Sequence, residues 1–300
     1  MKSKKTRKSI FVTGSNGFLG KHLVEQFLSE YDIFGINKTL DNKKPRYFPK
    51  KKNLLNLSNN DLPKQFSSII HMAAATDVLW CQNNPVQCFK INVDVTQKLL
   101  EISRVKNCKF VYLSTSHVYG HPIHNSISES DPTHPQSIYA ASKLAGEVLC
   151  ESYAKSYGLD ISIARLFSVY GPYSSRHLVT SRIMSQLEKN IINLGNIKSK
   201  RDFLYVSDAI SAINIILKKS NGFNVYNVGT GIGTSIEQIF KIIKRLSDKK
   251  IKVQQQTNFI RKNDIKTLIC DNSSLKKLGW KPKISLEDGL KQTLEWYHQK

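Results

Sequence analysis

Apolar residues in the first half of the chain fall into two alternating patterns. Residues 10–13 form a short apolar run that ends at Thr13-Gly14. After it, Leu19, Leu23, Val24, Phe27 and Leu28 recur at helical spacing. Further short buried runs stand at residues 33–36, 68–71, 109–113 and 161–164. A long helical pattern over 85–105 places Phe89, Val93, Thr96, Leu99 and Leu100 on one face, and a second helix is predicted over 136–157. Strands alternating with helices predict a parallel sheet covered on both faces. The second half is more broken, punctuated at Gly171-Pro172, Gly195, Gly229 to Gly233 and Gly279. It shows no internal repeat and no low-complexity linker.

Composition adds few constraints. At 300 residues, with 40% hydrophobic and 23% charged positions, the chain is long enough for one large domain or two packed ones. No run of eighteen apolar residues suggests a membrane span. The basic start, Met1 to Ser9, leads into an apolar run too short for a signal peptide, so a cytoplasmic protein is expected. The five cysteines, Cys81, Cys88, Cys108, Cys150 and Cys270, include no C-x-x-C pair and read as reduced core thiols. His121, His124 and His134 lie in a proline-rich loop without cysteine partners, and no metal is expected.

The charge is less ordinary. Forty-five Lys and Arg residues against 23 acids give +22, a field that would attract nucleic acid, an anionic membrane or a polyphosphorylated substrate. The lysines, however, are scattered, with Lys50-Lys51-Lys52 the longest run, and no basic stripe interleaved with aromatics appears. A solvated lysine-rich surface is the reading, with no nucleic-acid or membrane partner.

The glycines of Thr13-Gly14-Ser15-Asn16-Gly17-Phe18-Leu19-Gly20 stand three apart between the first strand and the first helix. Gly14 permits a tight turn, Gly17 lets backbone approach a pyrophosphate, and Gly20 lets the helix pack closely. That context predicts dinucleotide binding. The fold class follows: α/β, a Rossmann-type doubly wound parallel sheet with a smaller C-terminal substrate-binding α/β region. Residues 1–165 are expected to form the dinucleotide-binding domain. Residues 166–300 would mainly bind substrate, with some segments returning to the sheet. At the end of the second strand an acid would hold the 2′-hydroxyl of NAD. The chain has Asn37-Lys38 there. Asn37 can hydrogen-bond a ribose hydroxyl and Lys38 can accept a 2′-phosphate, so NAD and NADP both stay open.

Tyr139-Ala140-Ala141-Ser142-Lys143 lies in a helical stretch, where a separation of four puts phenol and ammonium on one face. A free phenol titrates near pH ~10, and a neighbouring cation lowers that value toward what proton abstraction from a sugar hydroxyl needs. Ser114-Thr115-Ser116 follows the fourth strand, at the carboxyl end where such sites lie, and a hydroxyl there can share the proton.

Taken in order, these segments resemble the extended short-chain dehydrogenase/reductase family, in its nucleotide-sugar epimerase/dehydratase branch. The resemblance spans nearly the whole chain. It adds His71-Met72-Ala73-Ala74, Asn92-Val93, Arg165-Leu166-Phe167-Ser168-Val169-Tyr170-Gly171-Pro172, Arg201-Asp202-Phe203-Leu204-Tyr205-Val206-Ser207-Asp208, Tyr226-Asn227-Val228-Gly229-Thr230-Gly231, Arg261-x-x-Asp264 and Leu278-Gly279-Trp280-Lys281-Pro282. It implies a catalytic set of Thr115, Tyr139 and Lys143. NAD or NADP would lie on Gly14, Asn16, Gly17, Phe18, Leu19, Gly20, Asn37, Lys38, Ala73, Ala74 and Asn92, with Tyr139 and Lys143 at its nicotinamide end. Ser168, Arg201, Arg261 and Asp264 would hold a nucleotide-diphosphate sugar, two guanidiniums being suitable forks for a diphosphate. The family also implies a homodimer through the helices near 85–105 and 136–157.

Departures from the family pattern shape the expected reaction. Sugar 4,6-dehydratases carry a carboxylate at one or both positions after the catalytic hydroxyl; here they are Ser116 and His117. Elimination of water needs such an acid/base. The expected activity is therefore that of a UDP-sugar 4-epimerase working through a 4-keto intermediate. A nucleotide-linked keto-sugar reductase or dehydrogenase is the alternative. A non-catalytic NAD(P)-binding or RNA-associated protein is a third reading, motivated by the charge.

Overall fold

The six residues Lys8–Thr13 form β1, whose Ile10, Phe11 and Val12 are buried between layers. The computed structural model describes residues 7–189, 191–256 and 265–299. After β1 come α1 (Phe18–Phe27), β2 (Tyr31–Asn37), β3 (Tyr47–Lys51), β4 (Ser68–His71), α2 (Val78–Asn83) and α3 (Pro85–Phe89). A π-helical turn over Lys90–Asp94 joins α3 to α4 (Val95–Lys106). β5 (Lys109–Thr115), α5 (Ile138–Tyr157) and β6 (Ile161–Leu166) follow.

The predicted parallel sheet is present. Seven strands run in the order β3-β2-β1-β4-β5-β6-β10, the last being Asn224–Val228. The chain starts at the centre, moves to one edge, then crosses β1 to build the other half, so the strand order reverses beside β1. In open sheets of this kind ligands bind outside the carboxyl ends of the strands at that reversal. β1 pairs in register with β2 (Thr13 opposite Ile36) and with β4 (Thr13 opposite His71). Thr13, Ile36 and His71 therefore stand at one level at the carboxyl ends of neighbouring strands. Leu99 and Leu100 of α4 and Cys150 of α5 join Phe11, Ile69, Phe110 and Ile161 in one buried cluster.

β3 was not predicted. Tyr47-Phe-Pro-Lys-Lys51 carries a proline and two lysines, yet it pairs parallel with β2 as the outermost strand. An edge strand has one unpaired side, where a residue without an N–H is tolerated and lysines discourage further pairing.

The chain divides into two compact units. The first comprises residues 1–114, 137–164 and 213–225; the second comprises 115–136, 165–212 and 226–300. In the second, β7 (Ser168–Tyr170), α6 (Val179–Met184), β8 (Ile191–Leu194), β9 (Lys200–Tyr205) and the start of α7 (Val206–Lys219) lead to β11 (Gly233–Ser235), α8 (Ile236–Ser247), β12 (Lys252–Gln255), β13 (Thr267–Leu268), α9 (Ser273–Lys277) and α10 (Leu286–His298). β9 is the hub of a small mixed sheet, flanked by β11 and β13 and paired with β7, while β12 pairs with β8. No helix among the described residues is long and apolar enough to cross a membrane.

Candidate active site

The glycine turn follows β1. Gly14 has φ +75, and its N–H donates to the Ile36 carbonyl at 2.9 Å, tying the turn to β2. A methyl group at Gly14 would press on the Ala73 backbone at 3.0 Å, and one at Gly20 would collide with the Gly14 carbonyl and the Ser15 backbone. Both glycines thus bring main chain against main chain. Gly17 caps α1 without a side-chain hydrogen bond, and the first turn of α1 carries no acid. The positive end of the helix dipole thus meets no acid of its own first turn, which suits an incoming diphosphate. These features fit the diphosphate of a dinucleotide.

Beside the turn, at the end of β2, Asn37 is buried. Its carbonyl oxygen accepts from Asn16 N–H at 2.8 Å and from the Ser15 hydroxyl at 3.1 Å, while its amide donates to Tyr47 Oη at 3.3 Å. Lys38 follows it, exposed. Sequence reasoning missed Tyr47, which belongs to the unpredicted strand β3.

A directed chain of hydrogen bonds crosses the carboxyl ends of β1 and β4. Ala73 N–H donates to Thr13 Oγ1 at 3.2 Å, leaving the Thr13 hydroxyl proton for His71 Nδ1 at 2.7 Å. The Thr96 hydroxyl donates to the Asn92 carbonyl at 2.7 Å, so its oxygen must accept from His71 Nε2–H at 3.1 Å. His71 is therefore neutral with its proton on Nε2. Burial holds its pKa well below the ordinary value, and the charge of Lys143 adds to the effect. The far end of the chain is the π-helical turn, and such turns frequently accompany functional sites. Within it Asn92 grips the Ala75 backbone from both sides, its carbonyl accepting from Ala75 N at 2.7 Å and its amide donating to Ala75 O at 3.0 Å. The same amide donates to Ser142 Oγ at 2.9 Å. Asn92 thus holds the segment after β4 that carries Ala73 and Ala74 against α5. Thr96 and Ser142 carry this bracing and were not singled out for it. Their signal was a hydroxyl inside an otherwise apolar helical stripe.

Tyr139 and Lys143 stand one turn apart on α5, which is capped by the Ser137 hydroxyl accepting from Ala140 N at 3.2 Å. Tyr139 is half-buried and Lys143 is 3% exposed. The Lys143 ammonium lies 4.0 Å from the Tyr112 ring centroid. Burial lowers the Lys143 pKa to about 7, against smaller upward pulls from Cys150, Glu147 and Cys88. Gly146 keeps this packing possible, since a methyl group there would collide with the Tyr112 hydroxyl. At the end of β5, Ser114 Oγ is buried with no hydrogen-bond partner among the described residues, an orphaned hydroxyl of the kind a bound group satisfies.

The remaining predicted positions fall in the second unit. Thr115 is buried, and its oxygen accepts from His117 N at 3.2 Å, capping a short 3₁₀ turn over Ser116–Tyr119. Ser168 opens β7 opposite Phe203 of β9, two residues beyond Arg201. Arg201 donates to the Lys200 carbonyl at 2.9 Å. Its neighbour Asp202, fully buried, accepts from Thr230 N (2.8 Å), Thr230 Oγ1 (2.6 Å), Gly231 N (2.7 Å) and Cys270 N (3.3 Å). Arg261 and Asp264 lie outside the described residues. The structure thus gathers Gly14 to Gly20, Asn37, Lys38, Ala73, Ala74, Asn92, Tyr139 and Lys143 within the first unit, and leaves Thr115, Ser168 and Arg201 in the second.

A seven-stranded parallel sheet reversing at β1, a glycine turn against an uncapped helix and a Tyr-x-x-x-Lys helix together define a Rossmann-type member of the short-chain dehydrogenase/reductase class. Within it, the chain belongs to the NAD-dependent nucleotide-sugar epimerase/dehydratase family: the family described as GDP-mannose 4,6 dehydratase matches residues 11–293. The chain is similar to UDP-glucuronate 4-epimerase of Thermodesulfobacterium geofontis, 38% identical over 240 residues, covering 77% of this chain and 72% of that one. It is also similar to human dTDP-D-glucose 4,6-dehydratase, 28% identical over 320 residues, covering 97% and 90%. Among solved structures, the UDP-glucuronic acid 4-epimerase of Bacillus cereus in complex with UDP-glucuronic acid and NAD superposes with a TM-score of 0.90 at 28% identity, covering 97% of this chain and 99% of that one.

Proposed function

We propose that this enzyme is a UDP-sugar 4-epimerase that holds NAD on the first unit. The observation that carries the reading is Tyr139 one turn from the buried Lys143 on α5, with no carboxylate in Thr115-Ser116-His117. The glycine turn 14–20 would take the diphosphate of NAD, with Asn37, Lys38, Ala73, Ala74 and Asn92 around it. When bound, NAD supplies the acceptor and donor for the hydride at C4 of the sugar.

This chain's own residues handle the proton. Tyr139, as phenolate, takes the C4 hydroxyl proton and returns it to the C4 oxygen. Lys143 favours that phenolate when protonated, and a phenolate beside it would in turn favour the ammonium, offsetting the burial that lowers it to about 7. The Thr115 hydroxyl shares the proton with the substrate oxygen. Inversion comes from turnover of the 4-keto sugar within the site, so no second base is needed. A dehydratase would require one, and Ser116 and His117 replace the carboxylates that would serve. Ser168, Arg201, Arg261 and Asp264 are assigned to the nucleotide sugar. We place the protein in the cytoplasm as a homodimer pairing the α3–α4 and α5 helices. Val86, Val105 and Val148 there are at least half exposed, as an unpaired contact face would leave them.

The test offers UDP-glucose, UDP-galactose and their N-acetyl and uronic-acid forms to the purified protein with no added coenzyme. Interconversion at C4 is expected. Turnover only of a keto-sugar with added NADPH would replace the reading with that of a reductase, which neutral Asn37 and exposed Lys38 favour.

A further inference from the structure

The end of β2 has a neutral residue where dinucleotide-binding folds place an acid, yet a carboxylate stands nearby. Tyr47 Oη donates to Asp41 Oδ2 at 3.0 Å, and Asn42 N donates to Asp41 Oδ1 at 2.9 Å. The loop carrying Asp41 is tied to the glycine turn, because the Asn16 amide donates to Thr39 Oγ1 at 3.1 Å. We infer that Asp41 is the group that recognises the adenosine ribose of the dinucleotide, and that Asn37 is a positioning residue that aims Tyr47 at it. This rests on the reading that the glycine turn holds NAD.

The direction of the hydrogen bonds carries the argument. Asn16 N–H can only donate, so it fixes the carbonyl oxygen of Asn37 toward the turn and the amide nitrogen toward Tyr47. An amide nitrogen facing Tyr47 Oη makes that oxygen an acceptor and sends its single proton onward to Asp41. The Ser15 hydroxyl, 2.8 Å from Tyr47 Oη, can then donate either to that oxygen or to Asn37. Whichever acceptor Ser15 takes, the protons of Asn37 and Tyr47 run one way and end on a carboxylate. A carboxylate at position 37 would compete for the Tyr47 proton and release Asp41. Asn37 is also buried and already accepts two hydrogen bonds through its oxygen, whereas Asp41 is only partly buried. The substitution of the acid at 37 and the carboxylate at 41 are thus two halves of one arrangement.

The arrangement sets specificity. A carboxylate accepts from ribose hydroxyls and repels a 2′-phosphate, so NAD is preferred. Lys38, Lys43 and Lys44 are exposed on the same loop. With Asp41 neutralised, the loop becomes wholly basic there and should attract the phosphate instead.

The experiment measures equilibrium binding of NAD⁺ and NADP⁺ to the full chain stripped of nucleotide, with folding of each variant checked by circular dichroism. The wild type is expected to prefer NAD⁺. Asp41→Asn should weaken NAD⁺ about ten- to a hundredfold, the weight of a charge-assisted hydrogen bond, and strengthen NADP⁺. Tyr47→Phe should weaken NAD⁺ while still refusing NADP⁺, since the charge remains. An unchanged NAD⁺ to NADP⁺ ratio in Asp41→Asn, with the wild type binding NAD⁺ normally, overturns the assignment but leaves the cofactor reading intact. A wild type that binds neither dinucleotide removes both.

Discussion

The ammonium of Lys143 sits against the face of the Tyr112 ring, 4.0 Å from its centroid, and both side chains are buried. A ring face attracts a cation but does not replace the water an ammonium loses. The result is a lysine whose pKa falls to about 7. Unfolded, it titrates near its ordinary 10.5. Between these values the unfolded chain holds the extra proton, so stability rises with pH across the window and the burial penalty is greatest below about pH 7. Lys143→Met should therefore raise the melting temperature most on the acid side of neutrality, with the gain shrinking toward about pH 10. Thermal denaturation of both proteins at several pH values measures it. A gap that does not change with pH would mean the lysine stays charged inside.

Tyr139→Phe removes the hydroxyl of the proposed acid/base and keeps the ring of this half-buried residue on α5. Turnover should fall by at least ~100-fold, the usual weight of general acid–base catalysis. Dinucleotide binding and the far-ultraviolet spectrum should stay unchanged. Steady-state rates beside a binding titration decide it, and near-normal turnover removes Tyr139 from the mechanism.

Gly20→Ala tests the close approach of α1 to its turn. The added methyl group would meet the Gly14 carbonyl and Ser15 main chain, atoms that cannot swing aside as a side chain could. Loss of dinucleotide binding and a lower melting temperature are expected. Gly158→Ala is the control: its φ of +66 strains an alanine, but nothing lies within 4 Å. It should cost about 1–2 kcal/mol and leave binding intact.

Asp202→Asn keeps the shape of a buried side chain that accepts four hydrogen bonds from Thr230, Gly231 and Cys270. Whichever way the amide turns, its nitrogen faces at least one backbone N–H, that of Thr230 or those of Gly231 and Cys270, donor against donor. A loss of about 2–4 kcal/mol of stability is expected, from unmet donors and a lost charge-assisted bond. Urea denaturation checks it, and a loss below ~1 kcal/mol would show that the loop relaxes.

If the protein dimerises through α3–α4 and α5, a carboxylate in that face should split it. Val148→Asp places one on α5 at a side chain that is 56% exposed, so the isolated fold should tolerate it. Sedimentation should give a dimer for the wild type and a monomer for the variant. A monomeric wild type ends the idea.

Much of the first unit was legible because its signals are local and regular. Short apolar runs gave β1, β2, β4, β5 and β6 within a few residues, and the glycine spacing located the turn. What escaped depended on partners distant in sequence. β3 is recognisable as a strand only beside β2, since Pro49 and its lysines argue otherwise. The roles of Tyr47, Thr96 and Ser142 arise from hydrogen bonds to residues 32, 25 and 50 positions away, which no periodicity reports. The predicted helix over 85–105 was continuous in pattern, but the structure widens it at Lys90–Asp94. An apolar stripe cannot reveal an extra residue in one turn, because the stripe resumes after it.

That extra residue limits how the chain can change. Each residue advances an α-helix by about 100°. A π-helical turn takes up one extra residue within itself. Deleting a codon between 90 and 94 would therefore close it to ordinary α-helix, keep Leu99 and Leu100 facing the core and draw Asn92 off the Ala75 backbone, whereas the same deletion within α4 would rotate everything after it. Losing the extra residue would thus cost the tie between Asn92 and Ala75, and not the packing of the helix that follows.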